Sequence, residues 1–542
     1  MLVNSQKCIR TSDLDIIGKS NYHHTFFEML GSWSILGAYS KTKAIELAFK
    51  LLTDKEYGFG MVKSKLIPTV FGGSEEAPED KESIKAWKNL GVKKVSKLPV
   101  SENWWAPSGL QGPGPCGGCT EVLYDRGAEF GPEEEVPGLT DNKRYLEIWN
   151  AGVFMEYNRG KEGGKLKKLD LMSVDTGAGL ERITTILNGF ESNYEGDLFV
   201  PLINKVKSFN DLDFNKASVK QALWRISDHI KASSFMIVEN VFPANKDQGF
   251  VLRRILRKIY SDLEFTINVN PEKSLNLVED LINIYTSQNQ FAEIDQFEKI
   301  KDVMQEELNS YRKVKTTTEN FINRKYISKH ELSINNPFDI YQSTGASKDL
   351  IKNVSKDLSI KVDFKNFDKN LKQHQELSKQ GAGKKFRGGL AGTSDIEKKY
   401  HTATHLLHKA LKEVVGEETR QMGSNINVDR LRFDFNADEK LTEEQLKEIA
   451  KIVNDKIKQK LPVQKVEMGK EEADKTGAFS FFTEKYGDKI SIYYIGESIN
   501  NAYSKEFCGG PHVKNTGTLG TFIISKQENL GKGVKRLKAV LI

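Results

Sequence analysis

HTATHLLHKAL, from His401 to Leu411, and CGGPH, from Cys508 to His512, are the two stretches on which the reading of this chain turns. The first is a helix by pattern. Ser394 and Glu397 stand ahead of it at capping-box spacing, Ala403, Leu406, Leu407, Ala410 and Leu411 recur at helical intervals, and Gly416 follows where the helix should stop. Residues four apart share a helix face, so His401 and His405 can grip one ion. In the second stretch Gly509 and Gly510 let the backbone turn sharply between Cys508 and His512, aiming a thiolate and an imidazole at one point. Two half-sites at ligand spacing predict one zinc ion held by His401, His405, Cys508 and His512, or by three of them with solvent in the fourth position. The competing reading, unrelated histidines and a buried cysteine, needs both spacings to coincide by accident.

Outside these stretches, the composition bounds the answer. A chain of 542 residues is too long for one core and predicts several domains. With 38% hydrophobic and 28% charged residues it reads as an ordinary globular protein. No apolar run approaches the roughly 20 residues of a membrane span, and the N-terminus lacks a signal-peptide pattern, so a cytoplasmic protein with no membrane partner is expected. Four cysteines, two of them in Cys116-Gly-Gly-Cys119, do not make a secreted disulfide framework. A net charge of +6 is too small for a polycation, so local clusters matter more. Arg253, Arg254, Arg257 and Lys258 lie in GFVLRRILRKIY, a helical pattern with apolar Leu252, Ile255, Leu256 and Ile259. Such a helix buries one side and presents its basic side to solvent or to phosphates.

Residues 1–190 mix α and β, with strand-like runs at Tyr145 to Trp149 and Val153 to Tyr157. Residues 191–364 are mainly helical in pattern, including a long stretch from Pro271 to Arg324. A lysine-rich connector occupies 365–385, and 386–542 alternates helices with strands around the expected metal ligands. Four clusters in the first region suggest a nucleotide and amino-acid site. Arg10 in QKCIRTSDLD precedes HHTFFEML; ENWWAPSGLQGPGPCGGCTE sets Trp104 and Trp105 before a Gly/Pro-rich turn; EIWNAGVFMEYNR and SVDTGAGLERI follow. A cation beside an aromatic strand suits a phosphate and a purine. In the last cluster Asp175 can face an ammonium group while Arg182 faces a nucleotide.

These clusters, with HTATHLLHKAL and CGGPHV, occur in the order found in alanyl-tRNA synthetases, a class II aminoacyl-tRNA synthetase family that the chain resembles over nearly its whole length. The resemblance implies a multidomain α+β protein: a class II catalytic domain on an antiparallel sheet at 1–190, a helical tRNA-recognition domain at 191–364, and a zinc-dependent editing domain of the threonyl/alanyl type at 386–542. It implies that Arg10 holds the ATP α-phosphate, that Arg182 meets the nucleotide, and that Trp105, Val153 and Asp175 form the alanine pocket. Mg2+ would accompany ATP. Asn245 takes the position that reads an acceptor-stem G·U pair, with Arg253 and Arg254 on the RNA backbone, and Asp339 or Asp349 is the second recognition carboxylate.

A pocket for alanine excludes glycine and serine by only about 1–3 kcal/mol, so a second, hydrolytic site is expected at the zinc ligands, with Thr404 and Gln421 as polar discriminators. Cys116 and Cys119 resemble a family loop. The expected activity is ATP-dependent alanine activation, transfer to tRNA(Ala), and hydrolysis of Ser-tRNA(Ala) and Gly-tRNA(Ala), by a monomer. The alternative is a tRNA-binding deacylase with a vestigial synthetase half. The chain begins just before the second class II motif and ends at GVKRLKAVLI. The resemblance therefore implies a compact or N-terminally shortened form without the first motif or the C-terminal domain, with weak alanine activation beside near-full seryl-tRNA deacylation.

Overall fold

SVDTGAGLERI is where a strand becomes a helix. The computed structural model describes residues 1–107, 109–286, 294–373, 394–437, 439–469, 472–473, 476–479, 489–531 and 533–542, and divides the chain into two units, 1–364 and 365–542. The strands of the first unit are β1 (Leu2–Ile9), β2 (Phe26–Ser34), β3 (Leu66–Phe71), β4 (Ser96–Leu98), β5 (Trp104–Trp105), β6 (Gly114–Asp125), β7 (Tyr145–Arg159) and β8 (Leu166–Gly179). They form a sheet in the order β1-β2-β8-β7-β6-β3-β4, with β5 paired to β6; all pairs are antiparallel except β3 with β4. Gly177 permits the close approach of β8 to β2, because a Cβ there would meet Met29 Sδ at 2.7 Å. The chain then enters the helix Leu180–Asn188, closed by Gly189 in the left-handed conformation at φ 66.

Two strand-like runs expected from the sequence, Tyr145 to Trp149 and Val153 to Tyr157, are parts of the single strand β7. The register against β8 shifts between Asn150 and Val153, which interrupts the alternation that marks a strand in sequence. Ala44, Ile45 and Leu52 of the helix Lys41–Thr53 pack with Val70, Trp87 and Phe154 on one core of this unit. The helices Ala217–Val238, Asp247–Phe265, Ser274–Thr286 and Ile294–Lys325 follow, so the stretch from Pro271 to Arg324 is divided between two of them. Ile226 and Ile230 on the first, and Leu252, Ile255 and Ile259 on the second, are fully buried at helical spacing.

In the second unit the helix Asp395–Val415 starts where the capping box places it: Ser394 N–H and Oγ donate to Glu397 Oε2 at 3.1 and 2.8 Å. Its apolar face, with Leu406, Leu407 and Leu411, packs with Phe433, Phe435 and Ile449. Phe433 and Phe435 belong to an antiparallel sheet of Gln421–Ile426, Leu431–Asn436, Val534–Leu541 and Phe522–Gly531, in that order, while Ile449 is on the helix Glu443–Lys458. A second antiparallel sheet pairs Val463–Gly469, Lys489–Ile495 and Ser504–Phe507. Of the expected lysine-rich connector, residues 374–385 lie outside the described residues. Among the described residues no helix is long and apolar enough to cross a membrane.

Candidate functional site

Alternation along β2 puts Phe27 and Met29 on one face of the sheet and Phe26, Glu28 and Leu30 on the other. The first face carries a small pocket lined by Arg10, His23, Phe27, Met29, Glu147 and Arg182, among others. Arg10 lies just past β1; its N–H donates to Thr25 O at 2.9 Å and its guanidinium meets Asp13 at 2.6 Å. Arg182, in the first turn of the helix after β8, donates from Nη1 to Glu147 O and Oε2, each at 2.9 Å, and lies 5.5 Å from the centre of the Tyr22 ring. Two arginines from distant parts of the chain therefore converge on one concavity. A larger cavity of about 680 Å³, with Val3, Leu30, Leu47, Leu51 and Tyr57 in its wall, uses the opposite face of β2 and is lined by none of the expected site residues.

Asp175, on the pocket face of β8, is registered with Val153 on β7 and with Trp33 on β2, and Val153 in turn with Cys119 on β6. The structure thus sets Val153 and Asp175 side by side. Burial raises the Asp175 carboxyl above its ordinary range, and hydrogen bonds from the Trp33 side chain and the Thr176 backbone work against that rise. The Trp33 ring fills the space over Gly31, where a Cβ would meet it at 2.4 Å. Trp105 is half-buried on β5, registered with Gly117, and its neighbour Trp104 packs in the core with Phe71 and Tyr157. Burial and the nearby Glu147 push Glu121 well above the usual carboxylate range. Trp33, Glu121 and Glu147 were missed by sequence reasoning. Glu147 stands within the quoted EIWN, so a carboxylate in that motif was the available signal; Trp33 is visible only through the strand register.

In the helical part of this unit, Asn245 precedes the helix Asp247–Phe265 and its Oδ1 accepts from Arg253. The basic face read from the sequence meets acids. Arg253 and Arg257 share Glu307 at 3.3 and 2.6 Å, Arg254 pairs with exposed Asp15 at 2.6 Å, and Lys258 reaches Asp349 at 2.8 Å. Asp339 instead pairs with Lys325. Of the two candidate carboxylates, Asp349 is the one joined to the helix of Arg253 and Arg254.

In the second unit, His401, His405, Cys508 and His512 bring one ligand atom each to within 4.8 Å of one another. Cys508 Sγ lies 3.4 Å from His401 Nε2 and 3.4 Å from His512 Nε2. A tetrahedral zinc ion sets its ligand atoms about 3.5 Å apart, so these distances suit it. The remaining ring nitrogens are tied down. His401 Nδ1 donates to Pro511 O at 3.1 Å, which fixes the tautomer and leaves Nε2 as a lone-pair donor. Thr402 Oγ1 donates to Lys398 O and accepts from Val513 N–H, and its contact with His512 Nδ1 at 3.1 Å does the same for His512. His405 Nε2 lies 3.3 Å from Glu506 Oε2, while its buried Nδ1 has no hydrogen-bond partner. Three oriented imidazoles, one of them with an orphaned buried nitrogen, and a thiol form a donor set that fits zinc. Burial lowers His401 to about 3 and also lowers His405 and His512; it raises Cys508 to about 12.

The threonine in contact with a cluster histidine is Thr402. Thr404, also buried, spends its hydroxyl on Tyr400 O at 2.8 Å, and Gln421 Nε2 donates to Ser424 Oγ at 3.1 Å. His408 bonds Glu506 Oε1 through Nδ1 at 2.9 Å, so Glu506 bridges it to His405. Sequence reasoning missed Thr402 and Glu506, although each stands within two residues of an expected ligand. Cys116 and Cys119 are buried thiols on β6 and belong to no metal-binding group among the described residues.

Residues 1–456 match the family model described as tRNA synthetases class II (A), and residues 490–538 match the threonyl and alanyl tRNA synthetase second additional domain. The chain is 39% identical over 549 residues to a protein of Borreliella afzelii named alanine–tRNA ligase, covering 100% of this chain and 90% of that one. A protein of the same name from Treponema denticola is 38% identical over 560 residues, covering 100% and 89%. Another, from Streptococcus mutans, is 28% identical over 660 residues, covering 99% and 73%.

Proposed function

The chain belongs to the alanyl-tRNA synthetase family of class II, and on that premise we propose that it activates alanine with ATP, transfers it to tRNA(Ala), and hydrolyses the aminoacyl ester when that tRNA carries serine or glycine. The observation that carries the first activity is the convergence of Arg10 and Arg182 on the pocket whose floor continues along β8 to Asp175. In this reading the alanine ammonium group rests on Asp175 and its methyl group on Val153, with Trp105 as the outer wall. The carboxylate then attacks the α-phosphate in line and pyrophosphate leaves. Arg10 and Arg182 neutralise the charge that builds on the phosphates, and the fixed geometry supplies most of the acceleration. Mg2+ arriving with ATP contributes further charge neutralisation.

In the second unit His401, His405, Cys508 and His512 hold zinc, which when bound supplies a Lewis acid to place a water and the mischarged 3′ end. Pro511 O, Thr402 and Glu506 keep the three imidazoles in orientation, and Thr404 and Gln421 are the polar groups assigned to discriminate serine and glycine from alanine. Asn245 reads the acceptor stem, with Arg253, Arg254 and Asp349 around it. The work is carried out in the cytoplasm by a monomer. Alanine-dependent exchange of pyrophosphate into ATP is the decisive measurement. Exchange that is strongest with alanine and weaker with serine and glycine supports the synthetase; its absence beside intact seryl-tRNA deacylation leaves a deacylase with a vestigial catalytic half.

A further inference from the structure

Lys231, in the middle of the helix Ala217–Val238, is a lysine with no exposed surface; it lines neither the pocket nor the metal cluster, but Glu181, which it meets, lines the pocket beside Arg182. Its ammonium group lies 3.1 Å from Glu181 Oε1 and within 4.9–5.8 Å of the ring centres of Phe199, Phe26 and Tyr285. Burying an ion pair in such a setting stabilises a fold no better than well-packed apolar side chains do, so packing alone is a poor reason for it. What Glu181 does with its carboxylate is more telling. β8 ends at Gly179, and both Glu181 oxygens accept the Glu28 N–H of β2 at 3.2 Å, taking over where strand pairing has stopped.

The next residue is Arg182. A helix turns by about 100° per residue, so a Glu181 drawn back onto β2 and a lysine sets the direction in which Arg182 leaves the same turn. Three residues earlier on the Ala217–Val238 helix, buried Asp228 accepts the Thr25 N–H at 2.9 Å and lies 3.2 Å from His24 Nδ1. Asn193 Nδ2 donates to His24 Nε2 at 3.0 Å, which makes Nδ1 the protonated nitrogen and the Asp228 contact a hydrogen bond. One helix thus grips both the start of β2, beside the pocket residue His23, and the turn that carries Arg182.

We propose that Lys231 is a positioning residue for nucleotide binding: through Glu181 it fixes the turn from which Arg182 reaches ATP. The proposal rests on the assignment of Arg182 to the nucleotide. Lys231→Met, Lys231→Arg and the charge-free double variant Lys231→Met/Glu181→Gln decide it in alanine-dependent pyrophosphate exchange, with seryl-tRNA deacylation as a control for the second unit. In Lys231→Met and in the double variant, KM for ATP rises by about fivefold or more while KM for alanine stays within about twofold, and Lys231→Arg returns ATP binding close to the parent. A double variant with parental KM for ATP overturns the proposal, because the pair then serves only to neutralise itself. Equal rises in both KM values also overturn it, as general loosening of the unit. If Lys231→Met fails to fold, the double variant, which leaves no unpaired buried charge, carries the same two outcomes. A parent without exchange refutes the functional assignment itself, whereas a parent with exchange and an indifferent Lys231 refutes this inference alone.

Discussion

Around Arg182 and the turn that carries it, charges are already matched by partners within the protein; at the four ligands themselves, they are suppressed. Arg182 faces Glu147, Lys231 faces Glu181, and Asp228 is met by His24 and His229. Burial pushes the Asp228 carboxyl up, but the two histidines more than offset it and hold it below its usual range. At His401, His405 and His512, burial lowers the pKa, and at Cys508 it raises it, so each donor is held neutral at physiological pH. Arg182 and the turn that carries it are preorganised by the protein's own counter-charges. The second site is a set of lone pairs aimed at one point, and a cation completes it. Metal removal should therefore separate the two activities.

The largest expected effect follows from that separation. Cys508→Ala removes the one ligand that can become an anion, and zinc should fall from close to one per chain to a small fraction by metal analysis. Seryl-tRNA deacylation should drop on the order of 100-fold or more, with alanine-dependent exchange unchanged. Zinc retained at parental stoichiometry would break the comparison.

Asp175→Asn tests the other side. Removing the charged partner of a buried ammonium group costs about 3–4 kcal/mol, so kcat/KM for alanine in exchange should fall about 100- to 1000-fold while deacylation persists. Because burial raises the Asp175 pKa, its carboxylate is lost at a higher pH than an ordinary aspartate's. The parent's kcat/KM for alanine should accordingly decline as pH falls through that raised value, and the asparagine variant should be flat across the same window. A parent with no acid limb there would remove Asp175 from the ammonium group.

Local determinants made part of this legible in the sequence. The zinc helix was readable to its ends because its capping box, apolar spacing and final glycine all lie within the segment itself. The four ligands were readable because their spacings are local too. By contrast, the arginines of GFVLRRILRKIY meet Glu307, which lies about 50 residues on, and nothing in the segment announces that partner. Strand β7 shows in the sequence as two runs because its register shift breaks the period of two. Lys231 passes for a polar residue on an amphipathic helix, and only the packing of Phe26, Phe199 and Tyr285 around it makes it unusual. Trp33 owes its place to registers among strands more than 100 residues apart in the chain.

The paired arginines lead to a smaller effect. Asn245→Ala should reduce the preference for a G·U over a G·C acceptor pair by about 1–3 kcal/mol, the scale of one lost base-edge contact. Arg254→Ala should weaken charging of both RNAs alike and flatten the salt dependence, since its guanidinium is held by an exposed aspartate that a phosphate can displace. A parent that charges both RNAs equally would leave Asn245 without a role in discrimination.

The smallest effect sharpens the comparison most. The helix that supplies His401 and His405 begins at Asp395, and its first turn is held by Ser394 and the buried Glu397. Losing such a cap costs about 1 kcal/mol by fraying the first turns. His401 stands in the second turn, so fraying there must be reversed before both histidines can hold one ion. Zinc binds the ordered helix and not the frayed one, so the part of that 1 kcal/mol that goes into fraying the metal-free helix appears as weaker metal binding, up to about fivefold in Kd. Glu397→Ala should therefore lower the zinc affinity by up to about fivefold, and the remainder of the 1 kcal/mol should appear as a lower metal-free unfolding free energy of the second unit. At saturating zinc its deacylation rate should match the parent's, and alanine-dependent exchange should not change. If zinc affinity is untouched while the metal-free unit is destabilised, the ligands are held by the loop and the core rather than by the helix start. The second site would then be as preorganised as the first, and the contrast between the two would fail.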